Sequence, residues 1–82
     1  IPDRQNELKI WPVPVRDVLH IESITDVLSA TIYDGTGRTV GRWFPQRSGL
    51  IQLDLQRLVA GVYLLRVEYS GHTERRSFIK AN

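Results

Sequence analysis

The sequence predicts an all-β fold, an immunoglobulin-like antiparallel β-sandwich of about seven strands. Three observations carry that prediction. Short apolar segments rich in β-branched and aromatic residues recur with starts roughly 8–12 residues apart. Several of them alternate apolar and polar residues with a period of two, giving each strand one dry and one wet face. Between them lie Gly, Pro, Asp and Ser clusters that turn a chain, and only residues 55–59 offer as much as one helical turn.

The elements follow in order. Residues 1–7 are polar and include Pro2, Asp3, Gln5 and Asn6, which reads as a linker remnant before a domain at 8–82. A first strand at 8–11 alternates through Leu8 and Ile10, and a second at 18–22 through Leu19 and Ile21. Pro12 and Pro14 separate them. Neither ring nitrogen can donate to a ladder, so this stiff bend ends pairing and suits a chain crossing between sheets. The third strand, 28–33, sets Leu28, Ala30 and Ile32 against Ser29, Thr31 and Tyr33. Asp34-Gly35-Thr36-Gly37 then supplies residues that tolerate positive φ, which predicts a hairpin before a fourth strand at 39–44. After Pro45, Gln46-Arg47-Ser48-Gly49 reads as a connection to a fifth strand at 50–54, where Ile51 and Leu53 alternate with Gln52 and Asp54.

The sixth strand, 61–69, places Tyr63, Leu65 and Val67 on one face and Arg66 and Glu68 on the other. Its lead-in, Leu58-Val59-Ala60-Gly61-Val62-Tyr63, resembles a tyrosine corner, in which Gly61 permits a tight bend and the Tyr63 hydroxyl bonds to backbone upstream. Ser70-Gly71 joins it to a seventh strand at 73–80, where adjacent Phe78 and Ile79 point to opposite faces.

Composition excludes more than it assigns. Hydrophobic residues are 41% and charged residues 24%, close to a globular average, which excludes a disordered tail. No apolar run approaches the ~18–20 residues of a membrane span, so direct membrane insertion is not expected. Eleven basic against nine acidic residues leave a formal charge of +2, too little to attract a polyanion strongly. With no cysteine, the chain offers neither a thiolate nor a disulfide. His20 and His72 are too few for a zinc set, and we expect no metal and no cofactor. Gly35 breaks the Asp-Thr-Gly pattern of an aspartic protease at Asp34, and the serines lack a nucleophile elbow. Arg38, Arg42, Trp43, Arg47, Arg75 and Arg76 are interleaved with acidic residues, a solvated mixed-charge surface rather than a nucleic-acid track. No enzymatic activity is expected.

Four motifs stand in a recognisable order. Residues 8–21 contain Leu8-Lys9-Ile10-Trp11-Pro12-Val13-Pro14 followed by Leu19-His20-Ile21; residues 30–40 contain Tyr33-Asp34-Gly35-Thr36-Gly37-Arg38-Thr39-Val40. Leu55-Gln56-Arg57-Leu58-Val59-Ala60-Gly61-Val62-Tyr63 and Arg75-Arg76-Ser77-Phe78-Ile79-Lys80 complete the series. Each is common in β proteins; together they resemble the C-terminal sorting domain, Por secretion tail type A, of the type IX secretion system of Bacteroidetes. Val13 replaces the Asn usual between the prolines, Trp11 the commoner Tyr, and Ala81 and Asn82 extend past the Lys of the family pattern.

The resemblance implies a secretion signal. Such a domain follows N-terminal cargo domains of the same chain, passes through the periplasm, and directs the cargo across the outer membrane to the surface or the medium. Its implied partners are the type IX machinery and a surface sortase that commonly removes it. We expect recognition at the last strand, through Arg75, Arg76, Phe78, Ile79 and Lys80, while Pro12, Pro14, Asp34, Gly37, Gly61 and Tyr63 shape the fold. One mode is strand addition at that strand's edge. An isolated sandwich of this kind can also exchange strands, giving a strand-swapped homodimer. A second reading fits the same fold: an Ig- or fibronectin-like module binding protein or carbohydrate, with exposed Trp11 and Trp43 as a sugar platform.

Overall fold

The computed structural model describes residues 8–81. The expected linker at residues 1–7 therefore lies outside the described residues. Among the described residues seven strands form: β1 Leu8–Trp11, β2 Val18–Val27, β3 Ser29–Tyr33, β4 Thr39–Trp43, β5 Arg47–Asp54, β6 Gly61–Tyr69 and β7 His72–Lys80. A three-stranded sheet runs β1-β2-β5 and a four-stranded sheet β4-β3-β6-β7, with every named pairing antiparallel. Among the described residues no helix is long and apolar enough to cross a membrane.

The period-two pattern builds the core. Leu8, Leu19, Ile21, Ile51 and Leu53 come from the inner face of the first sheet, and Ala30, Ile32, Tyr63, Leu65, Val67 and Phe78 from the second. Each fully buried Leu, Ile or Val contributes about 1.5–3 kcal/mol relative to exposure, and without disulfides this packing is the principal source of stability. A buried polar contact links the sheets: the Ser23 hydroxyl donates to the Thr25 carbonyl at 2.8 Å and lies 3.4 Å from the Tyr69 hydroxyl.

Several details depart from the sequence reading. β2 extends to Val27, because a register shift between Ser23 and Val27 lets pairing with β5 resume at Val27–Arg47. Arg47, Ser48 and Gly49, expected in a connection, therefore belong to β5. The turn is confined to Phe44–Gln46, where Gln46 adopts φ 58° while its amide bonds to the Val27 carbonyl and its side chain to the Leu28 carbonyl. Leu28 precedes β3 and is exposed, whereas Ser29 and Thr31 are buried. β3 lies between β4 and β6, so long side chains from its neighbours cover its outer face; Ser29 donates to Glu68 Oε1 at 2.8 Å. His20 is half-buried, stacked under its cross-strand neighbour Trp11 at a ring separation of 5.4 Å. Residues 55–58 form a single turn closed by a 2.9 Å bond from Leu58 N to the Leu55 carbonyl.

The proline segment also behaves differently. It joins β1 to β2, neighbours in one sheet, instead of passing from sheet to sheet. Trp11-Pro12 and Val13-Pro14 are both cis. Between leaving and re-entering its sheet, the chain touches the other: fully buried Val15 makes a parallel bridge to Lys80, its N–H donating to the Ile79 carbonyl at 2.8 Å and its carbonyl accepting from Ala81 N at 2.7 Å.

The tyrosine corner is present. The Tyr63 hydroxyl donates to the Val59 carbonyl at 2.6 Å while its ring stacks on Phe78, with Gly61 opening the strand. Tyr63→Phe removes that hydrogen bond and leaves the ring in place, so we expect a loss of about 0.5–1.5 kcal/mol in urea unfolding. A variant with unchanged midpoint and slope would show that the corner contributes nothing to stability.

Candidate functional site

β7 is an edge strand, and its two faces differ because its side chains alternate. Phe78 and Lys80 point inward and are buried, with His72, Glu74 and Arg76 half-buried before them; Thr73, Arg75, Ser77 and Ile79 point outward and are exposed. The inward series begins polar. Arg76 Nη2 pairs with Glu74 Oε1 at 3.5 Å, and His72 stacks on Tyr69 at 4.6 Å. Inward-facing charge is a common device for keeping an edge strand from pairing indiscriminately.

The backbone edge is closed in two places. Alternate residues of an antiparallel edge strand turn their N–H and C=O groups away from the partner. The bond from Val15 to the Ile79 carbonyl identifies the outward set as Thr73, Arg75, Ser77 and Ile79. Val15 occupies the Ile79 end. Arg76 Nη1 folds back onto the Arg75 carbonyl at 2.9 Å and covers the middle. Among the described residues, then, the accessible backbone is a short stretch around Thr73 and Ser77.

The five expected recognition residues thus separate. Arg75 and Ile79 are presented to solvent, and Arg76 is committed to the edge and to Glu74. Phe78 packs in the core against Tyr63. Lys80, expected at an exposed basic tip, is only 5% exposed because even-numbered positions of β7 face inward; its ammonium donates to the Ala81 carbonyl at 3.0 Å.

Two residues outside the expected recognition set join the exposed pair. Val62 lies directly across from Ile79 in the ladder, and Val13 projects from the proline bend beside them. Val13, Val62 and Ile79 are 59%, 62% and 53% exposed and surround a shallow depression of about 290 Å³ floored by Ser77 and Phe78. Val62 was legible as the outward neighbour of Tyr63, whereas no periodicity reports on Val13 in a non-strand bend. Pro12 and Pro14 flank Val13 and set its position.

Charge completes the surface. Arg75 faces Arg66 across the ladder, a like-charge pair that opposes pairing of the strands. Arg66 is held by Glu68 at 4.0 Å, and a hydrogen bond with Tyr33 shifts its guanidinium further toward the charged form. Arg75 has no ion-pair partner among the described residues. Arg75 and the apolar triad share the outer face about 13 Å apart along β7, so a partner that reads both offers a carboxylate and an apolar side chain at that spacing.

Toward the opposite edge of the same sheet, Asp34 organises the β3–β4 hairpin. Its Oδ1 accepts from Thr36 N at 2.9 Å, the Thr36 hydroxyl at 2.6 Å and Arg38 N at 3.1 Å, and its Oδ2 meets Arg38 Nε at 3.3 Å. Gly37, at φ 88°, lets its N–H reach the Asp34 carbonyl at 3.0 Å. Among the described residues no cluster of three His, Cys, Asp or Glu side chains could hold a metal ion.

Comparison with known proteins places these features. The family profile described as the secretion system C-terminal sorting domain matches residues 9–81. No curated protein matches the chain. Among solved structures, PorZ, an essential bacterial surface component of the type IX secretion system of Porphyromonas gingivalis, superposes with a TM-score of 0.71 at 20% identity. The alignment covers 95% of this chain and 12% of PorZ, so the chain spans about an eighth of that protein's length and shares its fold there.

The Asp34 geometry makes a pH prediction. The Thr36 hydroxyl above all, then the backbone amides of Arg38 and Thr36 and the Arg38 charge, hold the carboxyl below its ordinary value of 3.8, against a smaller opposing effect of desolvation. A lowered folded value means the stabilisation is fully present above the ordinary value and lost as pH falls through the folded one. The stability gap between the native chain and Asp34→Ala should be widest at neutral pH and narrow well below pH 3.8. Urea melts showing a gap independent of pH would contradict the ionised-carboxylate account.

Proposed function

This chain belongs to the secretion system C-terminal sorting domain family, and from that premise we propose that it acts as a folded export address read through the outer face of β7. Its function is that of a type IX sorting signal, directing a protein across the outer membrane toward the surface or the medium. The observation that carries the reading of β7 is that its outer face presents both Arg75, without an ion-pair partner among the described residues, and, about 13 Å further along the strand, the exposed Val13–Val62–Ile79 triad beside a partly open strand edge.

The finer steps belong to the same proposal. Cargo domains precede this domain in the full chain, transit runs through the periplasm, and a surface sortase acts on the linker before β1. The domain itself carries out no chemistry. Its lack of cysteine supports this reading, because the fold forms without disulfide-forming enzymes in any compartment it crosses. Val15 and Arg76 close much of the edge, so recognition relies on side chains more than on an added strand. Arg75 supplies steering and Ile79 with Val62 supplies apolar contact.

Truncating β7 would remove Phe78 and Lys80 from the interior and unfold the domain, so surface substitutions are the informative test. The double variant Arg75→Glu/Ile79→Ser, fused behind a reporter passenger in a strain with a type IX system, should export roughly tenfold less, the effect of losing about 1.4 kcal/mol of binding. Its urea midpoint should stay near that of the native chain. Export at the native level from a folded variant would overturn the assignment of this face.

A further inference from the structure

The opposite side of the sandwich, where β4 and β5 are the edges, carries a second constellation that goes beyond the sorting role. Trp43, expected to be exposed, is half-buried because its cross-strand partner Ala30 faces the core, and the part of its indole left accessible lines two grooves. The larger groove, about 460 Å³, is bounded by Gly41, Arg42, Trp43, Asp54, Arg57 and Leu58, within the ~300–1,000 Å³ range of small-ligand sites. The indole is held in place from below. Its six-membered ring lies so close over Gly41 that a Cβ there would come within 2.6 Å of it, so only glycine admits this pose.

The charge around this ring is unbalanced. Arg42 and Arg57 have no ion-pair partner among the described residues, and Arg47 adds a third guanidinium beside the second groove. The one carboxylate present, Asp54, uses Oδ1 to accept from Gln56 N at 3.0 Å, which leaves Oδ2 to accept a hydroxyl. An extended peptide finds a poor template here, because the β3–β4 ladder shifts register between Ile32 and Tyr33, next to Val40 and Gly41, and an irregular edge disfavours strand addition.

We propose that this groove binds an acidic saccharide. One uronic acid ring would lie with its C–H face on the Trp43 indole, its carboxylate on Arg57 or Arg42 and a hydroxyl on Asp54. The stacking is dispersive and apolar, and the guanidinium–carboxylate contact supplies the discrimination between acidic and neutral sugars.

The test uses the 82-residue chain carrying Trp11→Phe, so that Trp43 is the sole indole. Trigalacturonate should produce a saturable change in Trp43 fluorescence and shift the amide resonances of Gly41 and Leu58. Galactotriose, its neutral counterpart, and a Glu-rich peptide should each bind at least roughly tenfold more weakly. Arg57→Ala and Arg42→Ala, both solvent-facing, should each weaken trigalacturonate binding roughly tenfold without moving the urea midpoint. The absence of a saturable change, equal binding of the neutral sugar, preference for the peptide, or indifference to Arg57→Ala would each overturn the proposal. The export assay of the Arg75→Glu/Ile79→Ser variant reads a different face, so neither result determines the other.

Discussion

Two backbone hydrogen bonds made by Val15 determine what this sandwich can present to a partner. A three-stranded sheet on a four-stranded one leaves β1 and β7 as neighbouring edges, and an open edge is a template for unwanted pairing. Val15 reaches across from the proline bend, is buried completely, and binds both the Ile79 carbonyl and the Ala81 amide. The contact ties the end of the chain's last strand to the connection between its first two. Segments nearly the whole sequence apart are thereby tied together, and Ile79 and Val62 lie beside Val13.

The recognition face proposed for β7 follows from alternation under that constraint. Inward positions are taken by Phe78 and Lys80 at the sealed end and by Glu74 and Arg76 toward the hairpin, where the polar pair discourages a second sheet from packing on the edge. Outward positions remain for recognition. A sorting domain has to be read by its machinery without sticking to copies of itself. Sealing one end, covering the middle with Arg76 and exposing Arg75 on the same face as a small apolar triad reconciles those demands. Opposed Arg66 and Arg75 cost some folding stability, a local conflict consistent with the recognition face proposed for β7.

The fold was largely legible because period-two patterning is a local signal. β1 and β6 begin and end where alternation places them, and Tyr63 bonds to Val59 as the Gly-Val-Tyr corner suggests. What escaped was non-local. Whether Ser29 and Thr31 are wet depends on β3 having neighbours on both sides, and the extension of β2 to Val27 depends on β5 resuming its pairing after a bulge. The inward turn of Lys80 follows from the same parity that buries Phe78, two residues before it, so it was available in principle; a basic residue in a terminal motif pointed the other way. The Val15 bridge had no sequence signal, since a single apolar residue after two prolines looks like any other. The family was legible from ordered motifs, but those motifs mix core residues such as Phe78 with surface residues such as Arg75, and only the three-dimensional arrangement separates them.

The central claim is that the machinery contacts the outer face of β7 and not the opposite sheet. Site-specific photocrosslinking during export tests it directly, with a photoreactive residue placed at Ser77 or Val62 on one face and at Gln52 on the other. All three positions are exposed, and none contributes a side chain to the core. The account predicts covalent adducts with an outer-membrane component of the secretion system from Ser77 and Val62 and none from Gln52. Adducts from Gln52 alone would contradict it.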